Sequence, residues 1–328
     1  MKRTSTFALL SCILVSAAFP TASAQQSASW SPSKPMRLIT PFAAAGSVDL
    51  VARTAASHLA SDLGVPVVVE NKPGANGVIA VPQAARAEPD GHTLLFVTTS
   101  IVAVNPALYK NLPYDVLRDF APVGTICETQ MVLVANAAFP AKSVQELISY
   151  AKAKPDAISY ASSGVGVFGH LVAEMLKSRA GIKMVHVPYK GEAPGLQELI
   201  AGRVQVAVFT FGTSRAMIEA GSLRVLGVPG ARRMPELPNI GTISEQGLPD
   251  FEPSLWYGLV APKATAPEAI SRINRSLQML LAKPEVRQLF LRQALTAIAS
   301  SPEDMGSRIA ADIRRYGEVV RSAGITVD

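Results

Sequence analysis

Short apolar segments alternate with longer amphipathic segments along most of this chain, and no other feature constrains its fold as strongly. Residues 37–42 form an apolar segment of strand length, and residues 50–63 repeat apolar side chains at helical spacing before Gly64. The same pair of patterns recurs at 131–135 and 144–154. This alternation is typical of helices packed on a largely parallel sheet, and it predicts an α/β fold.

The N-terminus has the pattern of a secretory signal peptide. Lys2 and Arg3 precede an apolar run at 7–18, and the small residues 22–24 offer a cleavage site near Ala24. The apolar run is too short to span a hydrocarbon layer roughly 30 Å thick. We therefore expect an exported protein, with residues 1–24 removed, that has no membrane anchor.

The remaining chain is long enough for two domains, since one domain usually takes roughly 100 to 200 residues. A stretch rich in Pro and Gly, 229–253, precedes a predicted strand at 255–261 that returns the chain to its first half. We expect one lobe to contain 25–127 and 254–328 and the other to contain 128–253. Two crossings between the lobes would form a hinge.

The charge and cysteine content exclude several classes of function. The formal net charge is +6, and the basic residues are spread along the chain, which does not resemble a nucleic-acid footprint. Cys12 lies in the predicted signal peptide, so Cys127 has no partner for an internal disulfide. The His, Cys and carboxylate spacings do not match a metal site, and we predict no cofactor.

A loop at 41–49 runs from the end of a predicted strand into the start of a predicted helix. Its small side chains leave backbone N–H groups accessible, and the positive end of the helix dipole favours a carboxylate or phosphate there. Asp49 would cap the helix or meet a cationic substituent, and a plain strand-to-helix turn is the alternative. The candidate ligand contacts in this loop are Phe42, Ala43, Ala44, Ala45, Gly46, Ser47 and Asp49.

A similar loop at 160–170 predicts a second anion site. It contains a G-x-G-x-x-G pattern, but the acidic residue that a dinucleotide site needs about 20 positions later is missing at 187–191. If both loops face one cleft, a ligand with two acidic groups could be held from both sides. The candidate contacts here are Ser162, Ser163, Gly164, Gly166 and His170.

Polar residues also follow other predicted strands, and ligands of open α/β sheets favour the carboxyl ends of strands. The candidates at these ends are Thr98, Thr99, Tyr189, Lys190 and Thr210. Several aromatic side chains either wall the cleft or belong to the core: Phe42, Phe168, Phe209, Phe211 and Trp256.

Hydrolysis is the alternative function, with Ser162 or Ser163 as the nucleophile and His170 as the base. The chain has only four histidines, and no G-x-S-x-G pattern accompanies a serine. The sequence therefore favours a binding protein over a hydrolase.

Several ordered sequence blocks are similar to one known family. They are Pro41-Phe42-Ala43 with Gly46 and Asp49, Val68-Val69-Glu70-Asn71-Lys72-Pro73-Gly74-Ala75, Pro89-Asp90-Gly91, Asn105-Pro106-Ala107-Leu108-Tyr109 and His186-Val187-Pro188-Tyr189-Lys190-Gly191. With these blocks, the chain resembles the solute-binding receptors of tripartite tricarboxylate transporters, the Bug or TctC family, over nearly all of its mature length.

The resemblance implies a type II periplasmic binding protein fold, in which two α/β lobes joined by a hinge close on a central cleft. It implies capture of an organic acid or an amino acid, without catalysis, and we expect a di- or tricarboxylate or a related acid. In the family, the loops matching 42–47 and 162–166 bind ligand carboxylates through backbone N–H groups and water. The implied partner is a membrane pair of one large and one small subunit, although many members lack one.

Three positions depart from the family pattern: Ala45 replaces a usual Gly, His92 a usual Tyr and Thr210 a usual Asp. The change at Thr210 removes an acid near the cleft that could pair with a ligand ammonium group. We therefore expect simple carboxylates to be preferred over amino acids, unless Asp49 serves the amine.

Overall fold

The computed structural model describes residues 30–44 and 47–326. The predicted signal peptide, Ala45 and Gly46 lie outside the described residues. Within the described residues, the helices are too short or too polar to cross a bilayer.

The strands of the described residues follow the predicted alternation with helices. They are β1 (Met36–Thr40), β2 (Val67–Asn71), β3 (Thr93–Thr98), β4 (Phe120–Thr129), β5 (Met131–Asn136), β6 (Ser159–Ser162), β7 (Val185–Pro188), β8 (Val206–Thr210), β9 (Leu223–Gly227), β10 (Leu255–Pro262) and β11 (Leu295–Ala297).

The helices begin and end at residues that suit those positions. Proline opens three of them at Pro267, Pro284 and Pro302, where its missing N–H has no intrahelical partner to lose. The helices are α1 (Ser47–Leu63), α2 (Val81–Ala85), α3 (Asn105–Leu108), α4 (Val116–Asp119), α5 (Val144–Ala153), α6 (Phe168–Ala180), α7 (Glu192–Ile200), α8 (Phe211–Glu219), α9 (Pro267–Ala282), α10 (Pro284–Arg292) and α11 (Pro302–Ser322). A π-helical turn, Ser100–Val104, connects β3 to α3.

Two sheets organise the chain, and we call each sheet with its helices a lobe. The first lobe has the strand order β11-β4-β10-β3-β1-β2, and the second has the order β7-β6-β8-β5-β9. The α/β prediction is confirmed, but the expectation of largely parallel sheets is wrong. The strand β10 runs antiparallel to β3 and β4, and β5 runs antiparallel to β8 and β9, because each enters its sheet directly from the other lobe.

The two crossings bring the carboxyl ends of strands from both lobes together. Gln130 alone separates β4 from β5, and Met131 at the start of β5 pairs with Thr210 at the end of β8. Near the start of β10, Tyr257 pairs with Thr98 at the end of β3. Both strand ends therefore face the gap between the lobes, which is where an α/β sheet positions a ligand.

The lobes are in contact beside this gap. The ring of Phe168 at the start of α6 packs edge-on against Tyr316 of α11, with centroids 5.4 Å apart. Both side chains belong to one continuous cluster of buried apolar residues that includes Leu108 of α3. The α11 helix also holds both crossings, since Arg308 hydrogen-bonds to Glu128 and to Ser254 Oγ.

Candidate functional site

A cavity of about 360 Å³ lies between the lobes. Because the carboxyl ends of β1, β3, β6 and β8 approach it, its wall contains residues from both halves of the chain. Six of the residues predicted from the sequence line this cavity: Phe42, Ala43, Ser47, Thr98, Ser163 and Thr210.

The other described candidates lie outside the cavity wall. They are Ala44, Asp49, Thr99, Ser162, Gly164, Gly166, His170, Tyr189 and Lys190. Of the aromatic candidates, Phe42 and Phe168 line the cavity, whereas Phe209, Phe211 and Trp256 are core residues with at most 3% of their surface exposed. The sequence alone could not separate these two groups.

Asp49 holds the first loop in position. Its carboxylate accepts hydrogen bonds from Arg53 Nε at 2.8 Å and from Asn71 Nδ2 at 2.9 Å. The same Asn71 amide also donates to the Phe42 carbonyl at 3.1 Å. Asp49 does not line the cavity between the lobes but borders a second cavity of about 860 Å³, which α1 forms with residues of α9 and α10.

The second loop uses some of its own backbone donors. The Gly164 N–H donates to Ser162 Oγ at 3.2 Å, and the Gly166 N–H donates to His170 Nδ1 at 3.1 Å. Ser162 Oγ also lies 2.6 Å from His186 Nε2. These two amides, which the sequence pattern offered as ligand donors, therefore stabilise the loop itself.

Two stacked histidine rings lie next to this loop and form hydrogen bonds with it. The rings of His170 and His186 are 3.9 Å apart and nearly parallel, and Tyr160 continues the stack. Burial is the main cause that lowers the pKa of His170 to about 3 and that of His186 to about 4. The Glu174 carboxylate opposes part of this decrease at His186, whereas Lys177 lowers the pKa of both rings further. Both imidazoles are therefore neutral near pH 7, which allows His170 Nδ1 to accept from the loop.

This arrangement does not support a hydrolytic site. The proposed pair of Ser162 with His170 is not formed, because Ser162 contacts His186 and His170 accepts from Gly166. Ser163 lines the cavity, but among the described residues its hydroxyl makes no hydrogen bond with His170, whose Nδ1 is used by the Gly166 N–H. Ser162 is fully buried and lies outside the cavity wall, so a substrate in the cavity cannot reach its hydroxyl.

The start of α6 provides the anion-seeking groups of the cavity. Val167, Phe168 and Gly169 line the cavity, and the first turn of α6 has neither a side-chain cap nor an acidic residue. The first four N–H groups of a helix lack intrahelical partners, and the helix dipole makes that end positive. A carboxylate is the natural complement to such an end.

Thr98 lines the same cavity and carries a buried hydroxyl group without a partner among the described residues. Only 3% of the residue is exposed, and the unpartnered atom is Oγ1. Buried hydroxyl groups almost always have a partner, so this hydroxyl is available to an ordered water or a ligand. Thr99 has a structural role instead, since its Oγ1 accepts from the Trp256 N–H at 2.9 Å.

Sequence reasoning missed several residues of the wall. Tyr257 lines the cavity, and burial raises its pKa, which keeps it a neutral phenol. Met131 and Leu255 also line the wall, and each is the first residue of the strand that follows a crossing. That position after a crossing is the signal that could have identified them.

Glu192 is the most consequential residue that sequence reasoning missed. It lines the cavity and accepts hydrogen bonds from the Thr210 N–H at 3.0 Å and from Thr210 Oγ1 at 2.6 Å. The expectation that Thr210 leaves this part of the cleft without an acid is therefore wrong. The carboxylate comes from the first residue of α7 instead of from position 210.

Comparisons with known proteins agree on one family. A family model described as "Tripartite tricarboxylate transporter family receptor" matches residues 51–325. Protein BugT of Bordetella pertussis is 35% identical over 294 residues, which cover 89% of this chain and 90% of BugT.

Solved structures extend this similarity to the fold. The structure described as "R. palustris Rpa4515 with adipate" has a TM-score of 0.82 and 33% identity, and the match covers 90% of this chain and 99% of that one. The structure of MatC from Rhodopseudomonas palustris with bound malate has a TM-score of 0.79 and 28% identity, covering 88% and 99%.

Proposed function

The chain belongs to the tripartite tricarboxylate transporter receptor family, and on this premise we propose that it captures a small organic carboxylate in the cleft between its lobes. The family consists of periplasmic solute-binding receptors, which perform no catalysis. We further propose that residues 1–24 direct export and are cleaved near Ala24.

One observation carries the ligand proposal. The uncapped start of α6 and Thr98, whose buried hydroxyl has no partner among the described residues, line the same cavity. Main-chain N–H groups and a hydroxyl are strong donors to a carboxylate, and hydrogen bonds to charged groups contribute about 1.5 to 3 kcal/mol each. A few such bonds are sufficient for micromolar affinity, which requires about 8 kcal/mol.

Closure of the lobes on the acid follows from the arrangement of the chain. We propose that 25–127 with 254–328 moves as one body and 128–253 as the other, with the crossings as the hinge. The closed form would be delivered to a membrane pair of a large and a small subunit. The range of candidate ligands is that of di- and tricarboxylates and related acids, and adipate and malate, the ligands of two relatives, are the first probes.

The test removes the unpartnered hydroxyl without changing the shape of the side chain. We expect Thr98→Val to weaken binding of the acid about tenfold or more, because one hydrogen bond to a charged group is lost. Thr40→Val is the matched control, since Thr40 Oγ1 is equally buried and unpartnered among the described residues but lies outside the cavity wall.

Binding would be measured by isothermal titration with malate, adipate and 6-aminohexanoate after ligand removal by unfolding and refolding. Native mass spectrometry of the purified protein would identify any acid it retains. Equal affinities for the Thr98 and Thr40 variants would remove Thr98 from the site. If no organic acid is bound or recovered, the receptor proposal fails.

A further inference from the structure

The cavity wall does not have the positively charged side chains that are expected of a site for an acid, as far as the described residues show. Among the described residues that line the cavity there is no Lys, Arg or His, and the one ionisable carboxyl group is that of Glu192. The positive potential in the cavity therefore comes from helix N-termini, and the single formal charge is negative.

Glu192 is fixed in the wall of the cavity. It is the first residue of α7, and its two carboxylate oxygens accept from the N–H and the hydroxyl of Thr210, the N-cap residue of α8. The Thr210 hydroxyl in turn lies 2.9 Å from Thr213 Oγ1. The carboxylate thus lies beside the N-terminus of α8, where its negative charge complements the positive end of the helix dipole.

The start of α6 remains open to the ligand. Val167, Phe168 and Gly169 line the cavity at this helix start, where the first turn contains no acid. A ligand carboxylate at α6 would place the rest of the molecule in a cavity where the Glu192 carboxylate also lies. A second carboxylate there would face a like charge, whereas a hydrogen-bond donor would face an acceptor.

We propose that Glu192 makes this receptor selective for carboxylic acids that also carry an ammonium or hydroxyl donor, and against acids that would place a second carboxylate beside it. A carboxylate can accept about four hydrogen bonds, and Thr210 uses two of these positions. The remaining lone pairs can accept from the ligand, and the bond is strongest when the donor is charged. The inference rests on the proposed function and narrows its ligand class.

The test compares acids that differ only in the group at one end. The four-carbon set is succinate, 4-hydroxybutyrate and 4-aminobutyrate, and the six-carbon set is adipate, 6-hydroxyhexanoate and 6-aminohexanoate. Affinities would be measured by isothermal titration at pH 7 for the wild-type protein, Glu192→Gln and Glu219→Gln. The glutamine at 192 retains an acceptor for the Thr210 N–H, and Glu219 is an exposed acid at the end of α8 that controls for net charge.

In at least one set, we expect the wild-type protein to bind the amino or hydroxy acid about tenfold or more tightly than the dicarboxylate. Glu192→Gln should reduce or invert this ratio, and Glu219→Gln should leave it unchanged. The inference is overturned if the dicarboxylates bind more tightly in both sets or if Glu192→Gln leaves the ratio unaltered. If none of the six acids binds the wild-type protein, the proposed function fails as well, so the two failures are distinguishable.

Discussion

The contact between Gly166 and Leu108 is the point where the second loop touches the first lobe, and it can be tested by adding a single methyl group. Gly166 has a φ of +75°, and a Cβ at this position would overlap Leu108 Cδ2. An L-residue in the left-handed region costs roughly 1 to 2 kcal/mol. Overpacking a buried contact costs about 1 to 3 kcal/mol more. We therefore expect Gly166→Ala to lower the free energy of unfolding by about 2 to 5 kcal/mol.

Gly181→Ala separates the two contributions. Gly181 has a φ of +61° at the end of α6, and a Cβ there would meet no atom within 4 Å. This variant should show only the conformational cost of roughly 1 to 2 kcal/mol. Urea denaturation followed by circular dichroism would give both free energies of unfolding, and their difference measures the clash with Leu108.

A double-mutant cycle with Leu108→Ala completes the test. The truncated side chain makes room for the new methyl group, so the cycle should show a coupling of about 1 to 3 kcal/mol. The reasoning is refuted if Gly166→Ala costs no more than Gly181→Ala and the effects of Gly166→Ala and Leu108→Ala are additive. That result would mean that the loop and α3 are not in contact in solution.

Three further predictions concern stability, each measured by denaturant unfolding. Burial lowers the pKa of His170 to about 3, so below pH 6.5 the unfolded chain takes up a proton that the folded protein does not. The contribution of neutral His170 to the free energy of unfolding is therefore complete above pH 6.5 and is lost as the pH falls toward 3. His170→Gln should therefore make the free energy of unfolding fall less steeply between pH 6.5 and 4. The same pH dependence as in the wild-type protein would contradict this. Ser143→Ala removes the cap that accepts from the Glu146 N–H and should cost about 1 kcal/mol, whereas no loss would contradict the cap. Trp256→Phe removes the donor to the buried Asp312 carboxyl and should cost about 1 to 3 kcal/mol, and a loss below about 0.5 kcal/mol would show that water replaces the bond.

The sequence predicted strands and helices well but not how the strands pair. Apolar runs identify a strand such as β10, yet periodicity contains no information about its neighbours. Its antiparallel direction follows from its entry out of the second lobe. The strand β4 was not predicted, because Pro122 and Gly124 interrupt its apolar run, and the structure accommodates them with register shifts against β10.

The candidate site was predicted in part for a similar reason. The ends of strands can be recognised in the sequence, so the predicted contacts included Thr98, Ser163 and Thr210, which line the cavity. Glu192 was missed because its contact with Thr210 depends on the position of α7 beside α8, which the sequence pattern does not reveal. The G-x-G pattern predicts accessible backbone N–H groups. It cannot show that the Gly166 N–H donates to His170 Nδ1, four residues later.

The strand order of the first sheet has a consequence for the way the protein is made. The strand β10 lies between β3 and β4, yet it follows every strand of the second sheet in the chain. During synthesis from the N-terminus, the second sheet can be completed while β3 and β4 still lack the neighbour they share. Unpaired strand edges promote aggregation, so nascent or truncated chains that end before Leu255 should need protection by chaperones.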